Sequence, residues 1–412
     1  MSDSNSFPAI PDSEFKTRMG NFKELMSRNG IDLVVAYSNL LDPSAVRYFA
    51  DVSPINESAG MIIRLKGEPI LCSGQACHEW SKAKSKIPDI RIMPELGEVA
   101  EVEYDLPDQL DFSNLFQEVK KPGIRRIGII GNLIFPFSIY KKLEQVFPSA
   151  EIVSAEKLLY ELRGRKSPNE LACIRKACQI ISGTFEYAVA MIKPGLTELD
   201  IQADVESQML RLGAEDHCLS FSPMIPSGNR NTNLCMNRNS LRRVGESELI
   251  DVQAGCLYEG YNAALASPIV LGKIPEDIRA AVQIAFDAKD TVAESMKPGV
   301  TSRQLHQTYY DFLSQKGYRK YSPYGSVHSL GMLECESPWF SATRDVEIVE
   351  NMVVAIDAYF KDLPFGSFRI EDTYFITKNG SERVTRFNHD YIPQRFFAEG
   401  LASGRDRRGE GA

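Results

Sequence analysis

The second half of the sequence contains an internal repeat. The stretch "MIKPGLTELDIQADVESQMLRLGAE", which begins at Met191, resembles "SMKPGVTSRQLHQTYYDFLSQKGYR", which begins at Ser295. Lys193 and Lys297 open the two Lys-Pro-Gly turns and are 104 residues apart (297 − 193). Each turn lies between two helical patterns and precedes a β segment that contains Ser-Pro. Two copies of helix, turn, helix and β-hairpin predict a pseudo-twofold domain whose functional site lies where the halves meet.

The N-terminal part of the sequence predicts a small α/β domain. Asp12 can begin a helix that Gly30 ends, and "IDLVVAY" then has the β-branched run of a buried strand. "AGMIIRLKGEPILCS" predicts a hairpin that turns at Lys66-Gly67, and "RRIGIIGN" and "AEIVSA" supply further strands between helical stretches. Strands that alternate with helices are typical of α/β folds.

A domain boundary is predicted at "LRGRKSPNE". Ser167, followed by Pro168 and Glu170, has the capping-box pattern that begins a long helix, here one that ends near Met191. The pattern predicts an N-terminal domain, a C-terminal domain and a polar tail, over residues 1–160, 161–404 and 405–412.

Composition narrows the class of partner. The formal net charge of −8 and the pI near 5.4 argue against nucleic acid or an anionic membrane as the main partner. No run reaches the roughly 18 apolar residues of a membrane span, and the N-terminus has no signal-peptide pattern. The eight cysteines lack CxxC spacing and read as reduced thiols. We therefore predict a cytoplasmic protein whose main partner is neither nucleic acid nor a membrane.

Two further motifs carry a resemblance to a known family. "VHSLGMLECESP" and "FGSFRIEDTYFITKNG", together with the repeat, resemble the creatinase, prolidase and methionine aminopeptidase family, which has the pita-bread fold. The resemblance covers about 160–390, and residues 12–155 look like the smaller N-terminal domain of the creatinase, prolidase and aminopeptidase P branch. It implies a small N-terminal α/β domain plus a C-terminal pita-bread α+β domain, and a homodimer with its site near the subunit interface.

The resemblance also implies a set of metal-binding residues. The family's peptidases hold two divalent metals with two Asp, one His and two Glu. His328 matches the histidine position, Asp357 the first glutamate and Glu371 the second. The two aspartate positions fall on Gln253 and Ala264, although a two-residue slip of register would restore one of them.

The return strand after that position, 262–271, carries no acidic residue. A two-metal site is therefore not predicted. The expected cofactor is none, with a single divalent ion on His328, Asp357 and Glu371 left open as an alternative.

The metal-free branch of the family gives the rest of the predicted site. Creatinase is similar at Ala264-Leu265, but its shuttle histidine is replaced here by Cys235, which is either a nucleophile beside His328 or a small buried residue. Glu57 takes the position of a substrate-binding arginine, which favours a cationic or zwitterionic substrate. The matched motifs supply further expected substrate contacts, which are Glu336, Tyr261 and Arg369.

The leading hypothesis is a creatinase-like, metal-independent hydrolase of a C–N bond in a small cationic or zwitterionic nitrogenous metabolite. Its water would be activated by Asp357, Glu371 and His328. Two alternatives stay open. One is a divergent Xaa-Pro aminopeptidase or prolidase with at most one metal, and the other is a catalytically inactive binding protein with the same fold.

Overall fold

The computed structural model describes residues 7–98, 110–218, 222–234 and 236–397. Its helices are α1 (Asp12–Arg28), α2 (Ser44–Ala50), α3 (His78–Lys84), α4 (Phe112–Val119), α5 (Phe137–Val146), α6 (Glu156–Gly164), α7 (Pro168–Met191), α8 (Glu198–Arg211), α9 (Gly228–Thr232), α10 (Glu276–Ser295), α11 (Ser302–Gln315) and α12 (Phe387–Ile392). Its strands are β1 (Leu33–Ser38), β2 (Ala59–Arg64), β3 (Ile70–Ser73), β4 (Ile90–Ile92), β5 (Arg126–Ile130), β6 (Glu151–Ser154), β7 (Asp216–His217), β8 (Leu249–Tyr258), β9 (Tyr261–Val270), β10 (Val327–Ser329), β11 (Val353–Leu363), β12 (Gly366–Ile376) and β13 (Ser381–Arg383).

The N-terminal sheet confirms the predicted α/β arrangement. Its six strands lie in the order β4-β3-β2-β1-β5-β6, with β1 antiparallel to β2 and parallel to β5. All six residues of β1 are buried, as its apolar run predicts. Helices α4 and α5 cover one face through a shared hydrophobic core that includes Phe112, Phe116 and Leu143.

The C-terminal sheet consists of two long hairpins side by side. Its main strand order is β10-β11-β12-β9-β8-β7, so the β8–β9 hairpin of the first repeat lies beside the β11–β12 hairpin of the second. Helices α10 and α11 share a core with β11 and β12, in which Ala281 and Leu305 lie with Ile356 and Ile370. The predicted pita-bread domain, with its internal pseudo-twofold repeat, is confirmed.

The two repeats agree at the level of single hydrogen bonds. Thr197 and Thr301 each cap a helix with a complete capping box. The N–H of Gly195 donates to Val244, as that of Gly299 does to Ile348, and every residue of the second set lies 104 positions after its counterpart. The capping box predicted at the start of α7 is present as well, with Ser167 N–H 2.8 Å from Glu170 Oε2.

The chain divides into two compact units. The first comprises residues 1–173 with 259–261 and 331–333, and the second comprises the remainder. The division falls inside α7, after the predicted boundary at residue 160, which stays a prediction. Among the helices that the structure describes, none has the length and apolar character that crossing a membrane requires.

Candidate active site

A cavity of about 610 Å³ lies within the second unit. One end is polar and is lined by His328, Glu334, Asp357, Arg369 and Glu371. The other end is apolar and is lined by Tyr310, Trp339 and Phe340, with His306 beside them. A cavity of this size with converging polar groups is the usual form of a small-molecule site.

Strand register brings the polar groups to one face of the sheet. Asp357 on β11 lies directly opposite Glu371 on β12, and Glu371 is in turn opposite Ala266 on β9. Directly opposed residues of antiparallel strands point to the same side, so both carboxylates face the cavity. His328 enters from the edge strand β10, opposite Ala355, which shares a face with Asp357.

His328, Glu334 and Glu371 form a cluster. The Nε2 atom of His328 lies 3.3 Å from Glu371 Oε1 and 3.4 Å from Glu334 Oε1. The Nδ1 atom lies 3.3 Å from the carbonyl oxygen of Ser329, which accepts the Nδ1 proton and leaves Nε2 facing the two carboxylates. Ligand atoms of all three residues lie within 4.8 Å of one another, the one such group in the part of the chain that the structure describes.

The surroundings of the cluster shift the pKa values of His328 and Glu371. Burial alone would lower the pKa of His328, but the charge of Glu334 and hydrogen bonds to Cys335 and Glu371 outweigh it and raise that pKa well above its usual value. Burial raises the pKa of Glu371 to about 7, although the hydrogen bond from His328 lowers it in part. Both groups therefore bind a proton more tightly than they would in water.

Asp357 has partners other than the residues of the cluster. Its Oδ2 forms a salt bridge with the Arg369 guanidinium and accepts a hydrogen bond of 3.1 Å from the Tyr324 hydroxyl. The backbone N–H of Arg369 donates to Asp251 Oδ1 at 3.1 Å, and Gln253 Nε2 donates to the other oxygen of Asp251 at 2.7 Å. The predicted single-ion set has Asp357 as its third residue, whereas in the structure the third residue within ligand distance of His328 and Glu371 is Glu334.

Sequence reasoning missed Glu334. It lies on the loop after β10, and this loop returns to the strand because the backbones of Ser329 and Glu336 form a bridge. The return carries Glu334 back to His328, six positions earlier in the chain. The sequence does show an acidic residue two positions before Glu336, but only the closed loop shows that this residue lies beside His328.

Several predicted contacts do not line the cavity. Glu57 lies in the first unit, 2% exposed, where its Oε2 accepts the N–H of Cys77 at 2.8 Å. Tyr261 is buried in the same unit, where its hydroxyl donates to Glu170 at 2.9 Å and accepts from Arg18 at 2.8 Å. Glu336 is buried in the strand bridge to Ser329.

Glu57 is not among the residues that line this cavity, and its role in substrate binding stays a prediction. Cys235 lies outside the described residues, so its role as a nucleophile stays a prediction. The structure brings together His328, Asp357, Glu371 and Arg369 from the predicted set.

A pita-bread domain with a partly buried histidine–carboxylate cluster defines the class as a hydrolase of the M24 type. The chain belongs to metallopeptidase family M24, whose model matches residues 172–378, and the Creatinase/Prolidase N-terminal domain model matches residues 18–164.

The chain is similar to named peptidases over nearly its whole length. It is 29% identical to the Xaa-Pro dipeptidase of Pyrococcus horikoshii over 370 residues, which cover 90% of this chain and 97% of that one. It is 27% identical to the Xaa-Pro dipeptidase of Pyrococcus furiosus over 377 residues, 92% of this chain and 100% of the other. The solved structure of the prolidase from Pyrococcus horikoshii OT3 superposes with a TM-score of 0.76 at 26% identity, covering 90% of this chain and 98% of that one.

These similarities correct two predictions. The metal-independent, creatinase-like function is wrong, because the family is one of metallopeptidases and the full-length relatives are named Xaa-Pro dipeptidases. The predicted absence of a cofactor is wrong for the same reason. The prediction rests on the missing aspartates and does not count Glu334, which supplies a further carboxylate beside His328.

The cluster fits a divalent cation. One imidazole nitrogen and two carboxylate oxygens are donors that Mn, Fe, Co and Zn ions accept. The remaining imidazole nitrogen is fixed by the Ser329 carbonyl, the outer contact that metal-binding histidines commonly make.

Proposed function

We propose that the chain is a metal-assisted peptidase that hydrolyses small substrates of the Xaa-Pro dipeptide type. The observation that carries the proposal is the cluster of His328, Glu334 and Glu371, which lies on the wall of a cavity of about 610 Å³. The names of the full-length relatives support the substrate class.

The polar end of the cavity supplies the chemistry. A divalent cation, when bound, lowers the pKa of a coordinated water and polarises a carbonyl oxygen. His328, Glu334 and Glu371 would hold the cation, with the imidazole oriented by Ser329. Arg369 adds a positive charge beside them, which suits the oxygen that becomes negative when the amide is attacked.

The apolar end suits the rest of the substrate. Tyr310, Trp339 and Phe340 offer an apolar wall to a pyrrolidine ring or to the side chain that precedes it. Homodimer formation and a cytoplasmic location, which the resemblance and the cysteine content imply, stay predictions.

Release of free proline tests the proposal. Protein loaded in turn with Mn²⁺, Co²⁺, Fe²⁺ and Zn²⁺ would be incubated with Ala-Pro, Leu-Pro, Met-Pro and Phe-Pro, with Ala-Ala as the dipeptide control. We expect proline release with at least one ion, none in excess chelator, and a loss of roughly 100-fold or more in Glu371→Gln. Glu350→Gln, an exposed carboxylate, is the matched control.

Absence of proline release from every dipeptide, by folded protein that carries its ion, would contradict the proposal. That result would favour the inactive binding protein, because the cavity and the ion would then be present without turnover.

A further inference from the structure

The carboxylates of the cavity balance one divalent cation rather than two. We infer that the chain holds a single divalent cation on His328, Glu334 and Glu371, and that the Arg369 guanidinium provides the positive charge that a second cation would bring. Glu334 is a ligand that the family resemblance does not assign. The inference deepens the proposed function and rests on it only in taking the ion to be part of the working site.

Charge is the first argument. With the ligands deprotonated, as ion binding requires, Glu334, Glu371 and Asp357 supply three negative charges, and Arg369, bound to Asp357, supplies one positive charge. The remaining two negative charges are neutralised by one dication. A second dication would leave two uncompensated positive charges in a largely buried site, where charge is poorly screened.

The second argument is the lack of ligands for another ion. The position opposite Glu371 on β9 is Ala266, and the next position on the same face is Ala264. On β8 the cavity is lined by Gln253, whose amide nitrogen already donates to Asp251. Alanine offers no ligand atom, and the neutral amide of Gln253 brings no negative charge to balance a dication.

Arg369 is fixed in place, which is the third argument. Its backbone N–H is bonded to Asp251, its guanidinium is paired with Asp357, and the same guanidinium lies 4.3 Å from the centre of the Tyr359 ring. A cation that approached Asp357 would meet this guanidinium at the same carboxylate, and the two like charges would repel each other.

Metal counting tests the inference without substrate. Full-length protein equilibrated with Mn²⁺, Co²⁺, Fe²⁺ or Zn²⁺ and freed of excess ion should contain one ion per chain by elemental analysis. The Mn²⁺ form should give the electron paramagnetic resonance spectrum of an isolated ion. Two ions per chain, or the spectrum of an exchange-coupled pair, would overturn the inference, and so would failure to bind any of the four ions.

Two variants separate the ligand from the charge argument. Glu334→Gln should weaken binding by more than the roughly 10- to 100-fold that loss of an outer contact costs, while Glu350→Gln should bind as the unchanged protein does. A double variant, Gln253→Asp with Ala264→Asp, adds two carboxylates on the strands beside the cluster and should raise the content toward two ions. Content that stays at one in the folded double variant would contradict the charge argument, and unchanged binding by Glu334→Gln would contradict the ligand assignment.

The number of bound ions can be measured whether or not the chain cleaves dipeptides, so the inference and the proposed function can fail separately. A protein that binds one ion but cleaves no dipeptide would retain this inference and lose the proposed function. One that cleaves dipeptides with two ions bound would do the reverse.

Discussion

At the scale of single residues, Asp251 is a buried carboxylate that contacts residues of the cavity lining. It is 1% exposed and hydrogen-bonded to the backbone of Arg369 and the side chain of Gln253. Burial raises the pKa of Asp251 to about 7, and the two hydrogen bonds lower it only in part. In the unfolded chain the same carboxyl has its ordinary pKa, about 3.9.

This difference predicts a pH-dependent stability. Between about pH 4 and pH 7 the folded chain keeps a proton on Asp251 that the unfolded chain has lost, so this group's contribution to the free energy of unfolding falls as pH rises through that window. Asp251→Asn stays neutral and keeps an acceptor for Arg369 N–H. As the pH rises from 5 to 8, we expect the free energy of unfolding of the variant to increase by about 1 to 3 kcal/mol relative to that of the unchanged protein. Denaturant titrations in chelator measure this, and parallel pH profiles would count against the assignment.

Single residues also show where sequence reasoning ends. His328, Asp357 and Glu371 were found from motifs, and strand register explains why they meet, since opposed positions face the same side. Glu334 was missed, and so was the pairing of Asp357 with Arg369. The position of Glu334 depends on how the loop closes, and the pairing of Asp357 depends on which charged neighbour it meets. Neither spacing nor periodicity in the sequence specifies these.

At the scale of elements, the repeat is the feature that the sequence predicts best. The capping boxes at Thr197 and Thr301 are local patterns, each complete within four residues, and the repeated turn that precedes each of them is likewise local. The order of the strands in the sheet is not local. The structure places β9 beside β12, and because the two strands are far apart in sequence, no local pattern specifies this pairing.

The two repeats begin their second helices with the same kind of cap, so we expect the two threonines to contribute similarly to the free energy of unfolding. Each threonine hydroxyl accepts the N–H of the third helical residue, at 3.0 Å for Thr197 and 3.4 Å for Thr301. Thr197→Ala and Thr301→Ala should each reduce the free energy of unfolding by about 1 kcal/mol, because each leaves one N–H of its helix unpaired. Thr343→Ala, at an exposed position, is the control and should change it by less than about 0.5 kcal/mol. A loss in only one of the two caps would show that the repeats are not energetically equivalent.

At the scale of the whole molecule, the sequence combines an intact fold with an altered site. The family frame is retained across both units, with Creatinase/Prolidase N-terminal and M24 models that match residues 18–164 and 172–378. The same frame has alanines on β9 where the family's peptidases place a carboxylate. Family membership therefore predicts the architecture more securely than the number of ions, which depends on a few side chains.

Ion binding and global stability are linked through the cluster. A cation that binds the folded chain but not the unfolded one stabilises it by about 2.7 kcal/mol when its concentration is 100 times the dissociation constant. The chain with Mn²⁺ or Co²⁺ should therefore unfold at a higher temperature than the chain in chelator. Glu334→Gln should lose most of this difference, because it removes one of the three ligands, and Glu350→Gln should keep it. Calorimetry with and without ion checks the expectation, and a Glu334→Gln protein that responds to the ion as fully as the unchanged chain would show that the cation binds elsewhere.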